Sequence, residues 1–261
     1  MAGITALIPA RGGSKGVPRK NIAKVVGFPL IAYSIAACKM SKRIDRIVVS
    51  TDSDEIAREA IKYGAEVPFM RPARYATDTS TDFDVINHFL TKQGYYEGGG
   101  EEECIAFIRP TTPIRDPKKI DDYIDLYQNS AEYAESTAAR SAHELPESPY
   151  KCLKLGQKYF KGFFEDFNGN KNYTNLPRQV FPKAYQPNGY IDLVKPETLS
   201  AHGQAFGSKV FPLVTDYTLE IDTGYQLDTI QAMMRSGSPP DVLRYLLKTS
   251  DMSDWMSRGI T

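Results

Sequence analysis

The chain has 261 residues, 32 of them Lys or Arg and 32 Asp or Glu, so its formal charge is zero and no global field draws it to nucleic acid or to an anionic membrane. Any anion site must be local. With 41% hydrophobic and 25% charged residues it has the composition of a globular chain that can bury one large core, and no segment offers the roughly 18 unbroken apolar residues of a membrane span.

The opening MAGITALIPARGG lacks a basic stretch leading into a long apolar one, which reads as an untargeted, soluble protein. Cys38, Cys104 and Cys152 are odd in number and widely spaced, which argues against a disulfide framework and structural zinc and for a reducing cytoplasm. Residues 4–8 read as a buried strand, and LIAYSIAACKM as a helix with Leu30, Ile31, Ile35 and Cys38 on one face. RIVVST is a second strand. Ser53 or Asp54 then caps a helix whose Ile56, Ala57, Ala60 and Ile61 repeat at helical spacing until Gly64 ends it. EVPFM reads as a strand, TDFDVINHFL as a helix burying Val85, Ile86, Phe89 and Leu90, and CIAFIRP as a strand after the acidic low-complexity tract at 98–103. Strands alternating with helices predict an α/β fold with a largely parallel sheet covered on both faces, with ligands at the carboxyl ends of the strands.

From about Ala142 the texture changes. YKCLKL, QKYFKGFF and GYIDLV look like short antiparallel strands of an insertion spanning about 142–190. Its Tyr159, Phe160, Phe163 and Phe164 either face a partner or fold back on the main sheet. QLDTIQAMM restores the α/β pattern, and Ser238, Pro239 and Pro240 separate a helical tail, 239–261, from a main body, 1–238.

The segment LIPARGGSKGVPRKN, following the first strand, is the most informative. Its Gly12, Gly13, Ser14, Lys15 and Gly16 fit the G-x-S-x-G pattern of a serine hydrolase, but Pro18 disfavours the helix that a nucleophile elbow needs, and His88, His143 and His202 carry no triad signature. The alternative is a phosphate cradle. Three glycines let the backbone approach an anion, and Arg11, Lys15, Arg19 and Lys20 supply charge, although neither a Walker loop nor G-x-G-x-x-G is present. A plain basic surface turn would also fit this loop taken alone.

The strings ARGGSKGVPRKN, STDSDEIAREAIKYGAEV, RPARYATD, RPTTPIRDP, LPRQVFPKAYQPNG and EIDTGYQLD resemble, in order and approximate spacing, the cytidylyltransferases that activate sialic acid and related nonulosonic acids. The resemblance runs from about Ile4 to Met234. It implies a Rossmann-like, three-layer nucleotidyltransferase fold with a small antiparallel dimerisation insertion, and hence a homodimer. It also implies that CMP passes from CTP to the anomeric hydroxyl of an acidic nonulosonic sugar, with release of pyrophosphate. By the same resemblance Ala10, Arg11, Gly12, Gly13, Ser14, Lys15, Lys20 and Asn21 form the loop around the CTP phosphates, with Arg11, Lys15 and Lys20 the catalytic cations. Arg71 meets the cytosine edge, Lys151, Arg178 and Asn188 reach the sugar, and Asp222 with Glu220 holds Mg2+.

Four positions depart from the family pattern. Glu220 stands where Asp is usual, Arg109 where Gln precedes P-T, Asp82 in place of a small polar residue, and Gln186 in place of Arg before P-N-G. These departures make Asp82 and Arg109 candidate contacts to an acceptor other than N-acetylneuraminic acid, such as legionaminic or pseudaminic acid. Arg109 offers a fork suited to a carboxylate, and Asp82 either accepts from a hydroxyl or amine or pairs with Arg109. An enzyme of the same fold with another sugar or nucleotide, and a non-catalytic nucleotide-binding protein, are the remaining alternatives.

Overall fold

The computed structural model describes residues 4–98 and 104–250. The low-complexity tract beyond Gly98 and the last eleven residues of the expected tail, 251–261, lie outside the described residues. In chain order the elements are β1 (Ile4–Pro9), β2 (Lys24–Val25), β3 (Phe28–Pro29), α1 (Leu30–Met40), β4 (Ile44–Ser50), α2 (Asp54–Lys62), α3 (Asp82–Lys92), β5 (Ile105–Phe107), α4 (Pro117–Gln128) and β6 (Ala138–Glu144). They continue with β7 (Leu153–Leu155), β8 (Phe160–Gly162), β9 (Tyr185–Val194), α5 (Pro196–His202), β10 (Val210–Thr215), α6 (Gly224–Arg235) and α7 (Asp241–Thr249).

Six strands form one sheet in the order β10-β6-β9-β5-β1-β4. The β1–β4, β1–β5 and β10–β6 pairs are parallel, and β9 runs antiparallel to both β5 and β6. GYIDLV therefore belongs to β9, at the centre of the main sheet, and not to the insertion as the sequence suggested. Residues 188–194 are all buried, as a strand with neighbours on both edges and helices on both faces requires. The insertion proper is the excursion between β6 and β9, and its regular structure is the β7–β8 hairpin.

Alternate residues of the strands feed two cores. Leu7, Val48, Ile105, Phe107 and Val194 pack against Val85, Ile86, Phe89 and Leu90 of α3 and Leu199 of α5. Ala6, Ile8, Val49, Ala106 and Leu193 face the opposite way, against α1, α2, α4, α6 and α7. α7 buries Val242, Leu243, Leu246 and Leu247 in this second core, so the described part of the tail is integral to the main body.

Three local expectations need correction. EVPFM is no strand: it makes only isolated bridges, Val48 to Glu66 and Thr51 to Met70, because Pro68 interrupts its capacity to donate to a ladder. α1 is not one-faced; Leu30 to Cys38 are all buried, since α7 covers the side that would otherwise meet water. Ile61 of α2 is exposed, while Ile56, Ala57 and Ala60 are buried as expected, with Ser53 as the N-cap.

Candidate active site

The chain leaves β1 and turns back to β5 on its other side after building β4, so a crevice opens beyond the carboxyl ends of β1 and β5. A cleft of about 350 Å³ lies there. Arg11, Ser14, Lys15, Gly16, Lys20, Asn21, Arg71, Asp82, Arg109 and Asp222 line it, so loops from four distant parts of the sequence converge on one site.

The loop after β1 is held by specific bonds. The Ala10 amide donates to Ser50 O at 2.9 Å, the Gly12 amide to Asp52 Oδ1 at 2.8 Å, and Asn21 Nδ2 to Arg11 O at 2.9 Å. A Cβ on Gly16 would lie 1.9 Å from Asp222 O, so only glycine lets this loop touch the segment that carries the acidic pair. Gly13 has open space around it. No helix follows Ser14 directly; the next turn is a short 3-10 helix, Lys20–Ile22, and α1 starts at Leu30. That is not the geometry of a nucleophile elbow.

Each cation of the loop has a carboxylate. Asp78 bridges Arg11 Nη1 at 2.8 Å and Lys15 Nζ at 2.5 Å, and these bonds hold its carboxyl below the usual range. Lys20 Nζ meets Asp222 Oδ1 at 2.8 Å. Arg19 has a left-handed backbone, φ 54°, and its side chain pairs with Glu55 outside the cleft lining. Exposed ion pairs of this kind are worth about 0–1 kcal/mol, so an anionic ligand would displace them at little cost.

Arg71 is different. It is 5% exposed, its Nε and Nη2 have no hydrogen-bond partner among the described residues, and burial lowers its pKa to about 10 against the opposing pull of Asp52. An arginine left with buried, unsatisfied donors at the wall of a cleft calls for an acceptor from a ligand.

On the other wall Arg109 Nη2 donates to Asp82 Oδ2 at 2.6 Å and Nη1 to Asp192 Oδ2 at 2.5 Å. Burial works to lower the Arg109 pKa, but the two carboxylates outweigh it and leave the guanidinium above its ordinary range. Burial raises the Asp192 pKa, with Arg109 opposing. Glu220 accepts from Thr111 Oγ1 at 3.3 Å, and its pKa is raised by burial and by the nearby Asp222 charge. A half-buried Glu220 beside the Asp222 charge makes a site that a divalent cation would relieve, yet no cluster of three or more metal-ligating side chains occurs among the described residues.

Three expected sugar contacts lie outside the cleft lining. Asn188 is fully buried; its amide donates to Thr215 Oγ1 at 2.6 Å and sits 3.3 Å from the His143 ring, while its Oδ1 accepts from the Tyr190 amide. Lys151 donates to Leu176 O at 2.8 Å, and Arg178 donates to Pro146 O, both within the insertion.

Several contributors were not foreseen. Asp78 closes the RPARYATD string, and Asp192 is a carboxylate inside an otherwise apolar strand, which is itself a signal. Arg115 gave no signal. It is 1% exposed and donates to Tyr190 O at 2.8 Å, Ser34 Oγ at 2.8 Å, Gly189 O at 2.8 Å and Arg109 O at 2.5 Å, tying the Arg109 loop to the P-N-G turn.

A family model described as cytidylyltransferase matches residues 5–233. The chain belongs to that family. It is 33% identical over 230 residues to the post-translational flagellin modification protein B of Campylobacter coli, covering 87% of this chain and 92% of that protein. It is 29% identical over 225 residues to the N-acylneuraminate cytidylyltransferase of Escherichia coli, a match covering 86% of this chain and 50% of that protein. To the CMP-N,N'-diacetyllegionaminic acid synthase of Legionella pneumophila it is 39% identical over 129 residues, 48% of this chain and 53% of that one. The aligned part thus spans about half the length of the Escherichia coli and Legionella proteins.

Among solved structures, a CMP:2-keto-3-deoxy-manno-octonic acid synthetase complexed with CTP superposes with a TM-score of 0.63 over 89% of this chain and 98% of that one, at 16% identity. That likeness is one of fold: the Rossmann-like nucleotidyltransferase architecture of this cytidylyltransferase. No described helix is long and apolar enough to cross a membrane.

Proposed function

We propose that this cytidylyltransferase transfers CMP from CTP to the anomeric hydroxyl of a nonulosonic acid and releases pyrophosphate. The observation that carries the reading is the convergence, in one cleft, of the glycine loop with Arg11, Lys15 and Lys20, the unsatisfied Arg71, and Asp222 opposite. The sugar oxygen forms a bond to the α-phosphorus as the bond to the β-phosphate oxygen breaks. Pyrophosphate carries away the bonding pair, and the hydroxyl proton passes to solvent. Such a displacement needs alignment and charge neutralisation more than a covalent nucleophile, so Ser14 contributes as a polar wall and not as an attacking group. Arg11 and Lys15 exchange Asp78 for phosphate oxygens, and Lys20 stands beside the transferring group. Arg71 would donate to the acceptor edge of cytosine.

The donor set fits Mg2+, an ion commonly held by one or two carboxylates with substrate phosphates and water completing its shell. Asp222 and Glu220 would hold it, and the ion would supply Lewis-acid polarisation of the phosphate. Chelation should abolish turnover and added magnesium restore it; full activity in excess chelator contradicts this part. Assembly as a homodimer is supported by the insertion. Tyr150, Phe164, Phe167, Tyr173 and Phe181 pack on one another there, whereas Leu155, Tyr159 and Phe160 remain more than two-thirds exposed. Across a two-fold axis Lys151 and Arg178 would complete the neighbouring subunit's acceptor site.

The test is a screen of the four ribonucleoside triphosphates with a panel of nonulosonic acids. Pyrophosphate release specific to CTP and dependent on an acid is expected. Release with a different triphosphate would move the reading to another nucleotidyltransferase, and none with any pair would favour a nucleotide-binding protein.

A further inference from the structure

From the wall of the cleft an alternating row of charges runs into the protein: Asp82 and Arg109, which line the cleft, then Asp192 and Arg140 behind them. Asp82 and Arg109 meet at 2.6 Å, Arg109 and Asp192 at 2.5 Å, and Arg140 Nε lies 3.8 Å from Asp192 Oδ1. The row carries no net charge. Asp192 is fully buried and its Oδ1 also accepts from the Ser141 amide at 3.2 Å, while the Arg109 guanidinium stands 5.0 Å from the Phe107 ring centroid. Both terminal nitrogens of Arg109 are therefore committed. Turning them to a sugar carboxylate would leave the buried Asp192 carboxylate with only the Ser141 amide and the longer 3.8 Å contact to Arg140, a loss of pairing that buried charges resist.

Asp82 is placed differently. Its side chain is 34% exposed, it lines the cleft, and Arg109 engages Oδ2 alone; Oδ1 has no hydrogen-bond partner among the described residues. An ionised carboxylate only accepts, so its free oxygen selects a donor. Val85 lies three residues on, on the same face of α3, and also lines the cleft, which puts apolar surface next to that acceptor. A donor flanked by an apolar group describes the N–H and acyl methyl of an acylamino substituent.

We propose that Asp82 is the specificity-determining residue for the acceptor, taking the N–H of an acylamino substituent, and that Arg109, anchored by Asp192, is its positioning residue and not the binder of the sugar carboxylate. This rests on the reading of the cleft as a nonulosonate cytidylyltransferase site. It also reverses the use of the Arg109 fork that residue type alone suggested.

The experiment measures kcat/KM with N-acetylneuraminic acid, with N,N'-diacetyllegionaminic acid and with the analogue of the former that has hydroxyl in place of acetamido. It compares wild type, Asp82→Asn, Asp82→Ser and Arg109→Gln, with KM for CTP and Tm recorded for each. The expected result is a loss of about tenfold or more for acylamino acids in either Asp82 variant, with the hydroxyl analogue changed by less than about threefold and KM for CTP unaltered. Arg109→Gln should shift the same ratio in the same direction. Equal losses on all acids, or none, in folded Asp82 variants would overturn the proposal. Failure of wild type to use any of the acids would instead overturn the underlying reading of the site.

Discussion

The cleft and the insertion solve opposite problems. In the cleft nearly every charge already has a partner within the chain: Asp78 for Arg11 and Lys15, Asp222 for Lys20, Asp82 and Asp192 for Arg109. Its residues are drawn from positions up to 202 apart, as Lys20 and Asp222 are, so the site exists only once the sheet has formed. The insertion is local in its bonding, with Lys151 and Arg178 tied to carbonyls of the same excursion, but it leaves Leu155, Tyr159 and Phe160 in water. One region has its charges largely paired within the chain, with the Arg71 guanidinium as the exception. The other leaves large apolar side chains exposed, the feature on which the proposed dimer rests.

The sharpest way to break this contrast is through the loop cations. Lys15→Ala should lower kcat/KM by an amount equivalent to about 2–4 kcal/mol of transition-state stabilisation, the usual worth of a removed charge-stabilising donor, and Ser14→Ala should cost clearly less. Steady-state kinetics with CTP check this. A near-complete loss from Ser14→Ala together with a trapped covalent adduct would return the loop to the hydrolase reading.

The next effect concerns the insertion. Tyr159→Ser combined with Phe160→Ser should convert a dimer into a monomer at micromolar concentration and lower activity through the acceptor KM, leaving the main fold intact. Sedimentation and kinetics together read this out. A wild-type monomer with full activity would remove the need for a second subunit.

The smallest effect sharpens the electrostatic side. Folding raises the Glu220 pKa, so the folded state favours its neutral form, and ionisation costs stability as pH rises through the folded value. Glu220→Gln should therefore raise Tm, without metal or nucleotide, more at pH 8 than near pH 4, where wild type is also protonated. A gain independent of pH would mean that the Glu220 charge is not under strain.

How much of this was legible in the sequence follows the same division. β1, β4, α2 and α3 were readable because their period and caps are local: Thr81 and Asp84 form a capping box on α3 just where the apolar repeat begins. β9 was misplaced because its partners, β5 and β6, lie far from it along the chain, and no local signal distinguishes a central strand from a hairpin arm. EVPFM has the composition of a strand, but Pro68 limits its pairing. The glycine loop after β1, Arg71 and the Glu220–Asp222 segment were singled out through family motifs. Asp78, Asp192 and Arg115 were not, because they owe their roles to contacts that only the folded sheet creates, even though a carboxylate in the apolar run of β9 was there to be noticed. Arg109 illustrates the limit: residue type suggested either a carboxylate fork or a pair with Asp82, and the structure has that pair together with a second one, to Asp192, that was not foreseen.

The most direct test of the central claim is phosphorus NMR of the full chain with CTP, Mg2+ and N,N'-diacetyllegionaminic or N-acetylneuraminic acid. A new phosphodiester resonance for a CMP-sugar should appear in step with pyrophosphate, with neither signal in the absence of the acid. Pyrophosphate with free CMP, formed at the same rate whether or not an acid is present, would contradict it.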